Sequence, residues 1–221
     1  MYYGGVFRVN ELEDFRNLYP LNATEVVSTR IAGQVYEGLV KPNPDDLSIV
    51  ACLAEKWTKN EDASQWTFSI RKGVKFHDDA CFEGGKGREM TAKDIKWCFD
   101  MLCAASPENQ QFANSFKDRV AGANEYYQST IDKKPLAAGV AGIKVIDDYT
   151  VQINLTHPFA GFLNILITPG TWIYPQEAFD KYGVEMRKQC VGTGAFKVKT
   201  IKEGEAVILE KNTNYWNVDA N

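Results

Sequence analysis

A chain of 221 residues is long enough to bury a hydrophobic core in one large domain or in two small ones. Its hydrophobic share of 44% and its charged share of 24% are typical of a globular protein. The net charge of −4 and the isoelectric point near 5.3 argue against nucleic acid or an anionic membrane surface as the partner.

The sequence contains no apolar segment of the roughly 18 residues that a membrane-spanning helix needs. The first ten residues lack the basic and then apolar pattern of an export signal. We therefore expect either a cytoplasmic protein or the mature region of an exported protein behind an added Met1.

The first forty residues combine extended and helical patterns. Residues 6–9 predict a short strand, and residues 23–27 are compatible with an extended chain. Apolar residues then recur at four-residue spacing, which predicts a helix over residues 28–39.

Three pairs of strands are predicted by apolar side chains that alternate with polar ones. They cover residues 66–76, 142–155 and 196–209, and turn residues separate the two strands of each pair. Strands and helices in irregular order indicate an α/β or α+β protein with a mixed sheet.

The clearest helix begins at Thr91. The Thr91 hydroxyl is placed to cap the free amides of the first turn, and Asp94 stands three residues later, as in a capping box. An apolar face follows at helical spacing, made of Ile95, Cys98, Phe99 and Leu102.

Residues able to carry catalysis or bind a metal are few and scattered. The two histidines, His77 and His157, stand apart from any cysteine or carboxylate cluster with metal-ligand spacing. The five cysteines form no C-x-x-C pair, so we expect buried apolar residues and leave a structural disulfide open. The glycines of residues 84–87 lack the frame of a phosphate loop and predict a flexible loop. We expect no enzyme activity, no metal and no cofactor.

Five phrases carry a family resemblance. Four of them, QVYEGLV, LAEKW, QWTFSIRKGVKFHD and MTAKDIKWCFDML, follow one another from Gln34 to Leu102, and GTGAFKV…VILEKNTNYW runs from Gly192 to Trp216. In this order and spacing they resemble family 5 of the extracytoplasmic solute-binding proteins, typified by the oligopeptide- and dipeptide-binding proteins of ABC importers. The family's members are longer, so the chain resembles the amino-terminal half of one.

The resemblance implies an α/β fold of the class II periplasmic-binding-protein type. It predicts one lobe with a mixed β-sheet and an inserted smaller α+β domain, the second lobe being absent from this chain. Residues 1–38 and 158–221 would form the lobe, and residues 39–157 the inserted domain.

The resemblance also implies a ligand site. Peptide binders of this family pair an extended ligand with a protein strand, and the matching segment is residues 23–26, which makes Thr24, Glu25 and Val26 candidate ligand-binding residues. Phe112 matches an aromatic contact at which the family's peptide binders often carry Tyr. The acidic residue that pairs with the ligand's amino group belongs to the other lobe.

The implied function is to capture an oligopeptide or dipeptide outside the inner membrane and deliver it to the permease subunits of an ABC transporter. The expected location is periplasmic or cell-surface, with a lipid anchor left open. Two alternatives remain: a sensing domain of a regulator, or a family member that binds a nickel complex, haem, an opine or a sugar.

Overall fold

The computed structural model describes residues 4–217. Its strands are β1 Val40–Pro42, β2 Ile49–Ala51, β3 Ala54–Lys59, β4 Gln65–Ile70, β5 Ile143–Asp147, β6 Thr150–Asn154, β7 Phe196–Lys202 and β8 Ala206–Lys211. Its α-helices are α1 Val26–Ala32, α2 Ala92–Leu102, α3 Ala123–Ile131, α4 Phe162–Ile165 and α5 Gln176–Tyr182.

A four-stranded antiparallel sheet forms the centre of the predicted inserted domain, with strand order β3-β4-β6-β5. Along β4 the side chains of Trp66, Phe68 and Ile70 are buried, and those between them are half-buried. The period of two confirms the first strand of the pair predicted over residues 66–76, but the second strand is wrong, because residues 74–76 form only an isolated bridge between Lys75 and Glu89. The hairpin of β5 and β6 is confirmed.

The helix predicted from Thr91 is confirmed as α2. The Asp94 carboxylate accepts a hydrogen bond from the Thr91 N–H at 2.8 Å and another from its hydroxyl at 3.3 Å. The apolar face of α2 is buried against β5 and β6. The local capping signal and the apolar stripe therefore agree with the tertiary packing.

The predicted third hairpin is confirmed as β7 and β8. Every strand pair within residues 4–217 is antiparallel. A mixed sheet also contains a parallel pair, and this part of the chain has none.

The strand predicted at residues 6–9 is wrong. Residues 4–11 adopt no regular structure, and the side chains of Val6, Phe7 and Val9 are exposed, that of Phe7 by 92%. A strand needs a neighbour for its N–H and C=O groups, and no described segment pairs with this one.

The predicted helix over residues 28–39 is shorter and begins earlier. It forms α1, which ends at Ala32, where the Gly33 N–H donates to the Thr29 carbonyl and the Gln34 N–H donates to the Ile31 carbonyl. Val35 and Leu39 are still fully buried, but in non-helical chain. Their four-residue spacing therefore reflects burial and not helix.

One hydrophobic core runs through both predicted parts of the chain. Arg88 joins them at the edge of this core: it donates to Asp94 at 2.6 Å and 3.0 Å and to Glu177 of α5 at 2.5 Å and 2.9 Å. The division at residues 38 and 158 remains a prediction.

The glycine-rich loop is more constrained than its composition indicates. Gly84 and Gly85 have positive φ with open space around them, but a Cβ at Gly87 would lie 1.9 Å from the Phe76 carbonyl oxygen. Only glycine fits at this close approach of two backbones.

Candidate functional site

Two of the predicted site segments lie side by side. The Gln110 N–H donates to the Leu21 carbonyl at 2.8 Å, and the Gln111 side-chain amide donates to the Ala23 carbonyl at 3.2 Å. Asn22 donates its side-chain amide to Glu108 at 2.7 Å. The loop of residues 108–112 therefore holds residues 21–23 in place. Thr24 follows the first of these two segments, and Phe112 ends the second.

Asn109 gives this loop its shape. Its side-chain amide donates to the carbonyls of Leu102 and Ala104, at 2.8 Å and 2.9 Å, beyond the end of α2. Its side-chain oxygen accepts from the N–H groups of Gln111 and Phe112, at 3.1 Å and 3.3 Å. The position of Phe112 is thus fixed by the helix that precedes it in sequence.

The extended chain predicted at residues 23–27 is wrong from Val26 onward. Glu25 is extended, with φ −97° and ψ 159°, and α1 begins at Val26. β-Branched Val26 and Val27 favour a strand, but the carbonyl of Glu25 accepts from the Thr29 N–H at 3.0 Å and starts the helix.

The Glu25 side chain closes the loop that leads into α1. Its carboxylate accepts from the Ser28 hydroxyl and from the Arg16 N–H, and the Ser28 oxygen accepts from the N–H groups of Arg16 and Asn17, each at 3.2 Å. Partial burial raises the pKa of Glu25, but these hydrogen bonds outweigh it and hold the pKa below its usual value. The carboxylate is therefore engaged within the chain.

Thr24 and Val26 face solvent. Thr24 is exposed and Val26 is 68% exposed, although both adjoin the well-buried Ala23. The N–H of Val26 precedes the first i to i−4 bond of α1, so it has no partner within the helix. The backbone at this point is open to an external hydrogen-bond partner.

Phe112 is buried, with 6% of its surface exposed. The ring of Tyr127, on α3, stacks on it with centroids 4.5 Å apart and planes 11° apart. A cavity of about 320 Å³ opens beside the pair and is lined by Phe112, Ala113, Lys117, Asn124, Tyr127 and Gln128.

A second cavity, of about 340 Å³, surrounds Glu37. The Glu37 carboxylate accepts from the hydroxyls of Thr193 and Tyr215, each at 2.8 Å, and from the indole N–H of Trp216 at 2.9 Å. The Cys52 thiol donates at 3.6 Å. Four donors occupy both oxygens, so Glu37 fixes the surrounding chain and leaves no acceptor position for a ligand.

The sequence of residues 48–221, well over half of the chain, matches the family of bacterial extracellular solute-binding proteins, family 5 Middle. The chain belongs to this family. This confirms the resemblance carried by the phrases between Gln34 and Trp216.

Known proteins agree with this assignment. The glutathione-binding protein GsiB of Salmonella paratyphi A is 29% identical over 92% of this chain and 34% of its own length. The periplasmic oligopeptide-binding protein OppA of Escherichia coli is 28% identical over 94% of this chain and 36% of its own length.

The fold is shared with solved structures. The periplasmic binding protein DppA of Helicobacter pylori, in complex with the peptide STSA, matches with a TM-score of 0.72 and 27% identity over 93% of this chain and 38% of that one. The predicted α/β periplasmic-binding-protein class is thereby confirmed. The chain spans about a third of the length of these relatives and not the half that the resemblance implies.

In this family 5 chain the predicted site residues have different roles. Thr24 and Val26 present open backbone, the Glu25 carboxylate is bound internally, and Phe112 lies behind Tyr127. Neither Tyr127 nor the hydrogen-bonding role of Glu37 was predicted from the sequence. The QVYEGLV phrase marks Glu37, but three of its four partners are more than 150 residues away in the chain.

His77 and the cysteines are structural in the family 5 fold. The buried His77 ring donates from Nε2 to the Gly194 carbonyl at 2.8 Å, and burial lowers its pKa. All five cysteines are free, and burial, with the nearby Glu37 carboxylate, raises the pKa of Cys52 to about 12. In residues 4–217 no group of three or more histidine, cysteine or acidic side chains is placed to bind a metal, and no helix is long and apolar enough to cross a membrane.

Proposed function

We propose that this chain forms one wall of the ligand site in the solute-binding component of an ABC importer. The complete protein captures oligopeptides or dipeptides outside the cytoplasmic membrane, in the periplasm or at the cell surface, and delivers them to the permease subunits. The observation that carries this proposal is the set of hydrogen bonds that joins residues 21–23 to residues 108–112.

These bonds create the geometry that an extended ligand requires. The backbone of Thr24 and the N–H of Val26, which has no partner within α1, pair with the ligand's own backbone, and the aromatic pair meets a ligand side chain. Every peptide offers the same amides and carbonyls, so this pairing gives affinity without a preference for sequence.

The relatives support a peptide as the ligand. GsiB is named for glutathione, itself a tripeptide, OppA for oligopeptides, and DppA is solved with a four-residue peptide. The second wall and the acid that pairs with the ligand's amino group lie in the longer protein of which this chain is the amino-terminal part.

The test is calorimetric titration of the complete binding protein with a mixture of tripeptides. Val26→Pro removes the backbone donor, so affinity should fall about tenfold, the equivalent of one net hydrogen bond of about 1.4 kcal/mol.

Thr24→Ala is the matched control, because it changes a side chain and keeps the backbone; its affinity should stay within about twofold of the wild type. A Val26→Pro protein that folds and binds with wild-type affinity contradicts the proposed role of this segment. Circular dichroism of the two variants checks that α1 and the rest of the fold are retained.

A further inference from the structure

Tyr127, and not Phe112, presents the outer aromatic surface of the site. The two rings are stacked 4.5 Å apart and nearly parallel, and Phe112 keeps only 6% of its surface exposed. Tyr127 is half-buried, so part of its ring remains open. A molecule that approaches the pair meets Tyr127 first.

Tyr127 also carries the hydroxyl that Phe112 lacks. Within residues 4–217 this hydroxyl makes no hydrogen bond to another residue, whereas the backbone carbonyl of Tyr127 accepts from the Thr130 hydroxyl at 2.7 Å. A phenol hydroxyl in this state is a free hydrogen-bond donor at the edge of the 320 Å³ cavity.

Among the residues that line the cavity, Lys117 is the one with an ionised side chain. Lys117 is exposed and forms no ion pair with another residue of the described chain. Its ammonium group is therefore available to an anionic ligand.

The remaining polar lining is partly engaged. The side-chain amide of Asn124 donates to Asp118 at 2.6 Å, and that of Gln128 donates to Asp132 at 2.9 Å. The Lys117 ammonium, the Tyr127 hydroxyl and the second N–H of each amide remain for a ligand, and all of them suit an acceptor with negative charge.

We propose that Tyr127 contacts the ligand directly and that the cavity beside it receives a ligand side chain ending in a carboxylate, held by Lys117. The aliphatic part of such a side chain packs on the Tyr127 ring, and the volume is at the lower end of the range for ligand pockets. The inference rests on the proposed function, because it makes the ligand an acidic peptide.

The experiment is an NMR titration of the isotopically labelled chain with the peptides Ala-Glu-Ala and Ala-Gln-Ala, which differ only in the charge of one side chain. The signals followed are those of the Tyr127 ring, the Lys117 side chain and the amides of residues 23–26. An exposed ion pair should make Ala-Glu-Ala bind about twofold to fivefold more tightly than Ala-Gln-Ala. Lys117→Met should remove that difference.

Two further variants separate binding from folding. Tyr127→Phe keeps the ring stack and deletes only the hydroxyl, so it should weaken Ala-Glu-Ala binding and leave the spectrum of the free chain unchanged. Lys134→Met removes an exposed lysine that does not line the cavity, and it should keep the preference. Equal affinity for the two peptides, or a preference that survives Lys117→Met, overturns the proposal.

Glutarate, a dicarboxylate without a peptide backbone, distinguishes this proposal from the proposed function. Shifts of the Tyr127 and Lys117 signals with glutarate support the cavity even if neither peptide moves the amides of residues 23–26, a result that would contradict the peptide wall. If both peptides move those amides and glutarate leaves Tyr127 and Lys117 unchanged, the peptide wall stands and the carboxylate cavity is wrong.

Discussion

Glu37 connects three segments that are distant in sequence. It lies directly before β1, and its carboxylate accepts from Thr193, which precedes β7, and from Tyr215 and Trp216, which follow β8. A carboxylate with both oxygens occupied by donors fixes its neighbours in one arrangement. The β7–β8 hairpin is thus joined to the start of β1 through a single side chain.

Replacing Glu37 by Gln tests this role. The shape is kept, but one oxygen becomes an NH2 group and the negative charge is lost. The hydroxyl that faces the NH2 group must accept instead of donate, and the other hydrogen bonds are no longer charge-assisted. We expect the free energy of unfolding in urea to fall by about 1–3 kcal/mol. Glu55→Gln, on the exposed face of β3, is the control and should change it by less than about 0.5 kcal/mol. A Glu37→Gln protein as stable as the control would show that the four hydrogen bonds contribute little.

His77 makes stability depend on pH. Burial lowers the pKa of the folded ring, so the unfolded chain takes up a proton at a higher pH than the folded one. The stabilisation is present above the ordinary pKa of about 6.5 and is lost as the pH falls from there towards the folded value.

The variant His77→Gln isolates this contribution. Wild type and variant carry the same carboxylates, so the effect of those groups on stability cancels in the comparison. The stability gap between wild type and variant, measured by urea unfolding, should be largest near about pH 8 and should narrow below about pH 6.5, by at most about 1.4 kcal/mol per pH unit. A gap that stays constant or widens as the pH falls would mean that the buried ring is protonated in the folded protein.

At the scale of elements, α2 combines a local signal with a tertiary one. Thr91 and Asp94 form its cap, Arg88 holds Asp94 in place, and its apolar face packs on β5 and β6. The cap adds to a helix whose packing already favours it.

Thr91→Ala should therefore lower the free energy of unfolding by about 1 kcal/mol and leave ligand affinity in the complete protein almost unchanged. Thr58→Ala, near the end of β3 and away from any helix terminus, is a comparison of the same chemical change. Loss of peptide binding in Thr91→Ala, without loss of stability, would mean that the start of α2 belongs to the ligand site.

Elements set by near neighbours were predictable. The alternation in β4, the β5–β6 and β7–β8 hairpins, and the cap of α2 depend on residues close in sequence. The start of α1 was not predictable. The side chains of Glu25 and Ser28 accept hydrogen bonds from the backbone of residues 16 and 17, and these bonds override the strand preference of Val26 and Val27.

For the residues of the proposed site, too, a role could be predicted only where it depends on residues close in sequence. Phe112 could be proposed from the family resemblance. The stacking of Tyr127 on it depends on the packing of α3, for which the sequence offers no motif. Glu37 depends on partners at the far end of the chain. The resemblance predicts the region of the site, and the roles proposed for Tyr127 and Glu37 come from the structure.

At the scale of the whole molecule, the exposed apolar side chains are concentrated outside the four-stranded sheet. Val6, Phe7, Val9 and Leu12 are exposed near the beginning, and Phe196 and Ile208 are exposed on the β7–β8 hairpin. Exposed apolar side chains that lie next to one another favour association with another protein surface. We expect the isolated chain to self-associate.

The proposed ligand site would likewise contact a ligand from one side only. In the proposed function, residues 23–26 and the Tyr127 cavity form one wall, and a ligand on a single wall lacks enclosure and the charged partner for its amino group. That partner alone contributes on the order of 1.5–3 kcal/mol, or roughly tenfold to a hundredfold in affinity. Affinity of the isolated chain for a peptide is therefore expected to be weak.

Titration of the labelled 221-residue chain with neutral trialanine, followed by amide chemical shifts, tests the central claim most directly. The account predicts shifts at Thr24 to Val26 and at Gln110 to Phe112, with a dissociation constant of about one millimolar or weaker. A micromolar complex would show that one wall is sufficient. Shifts confined to the Glu37 cavity, with none at residues 23–26, would contradict the proposed site.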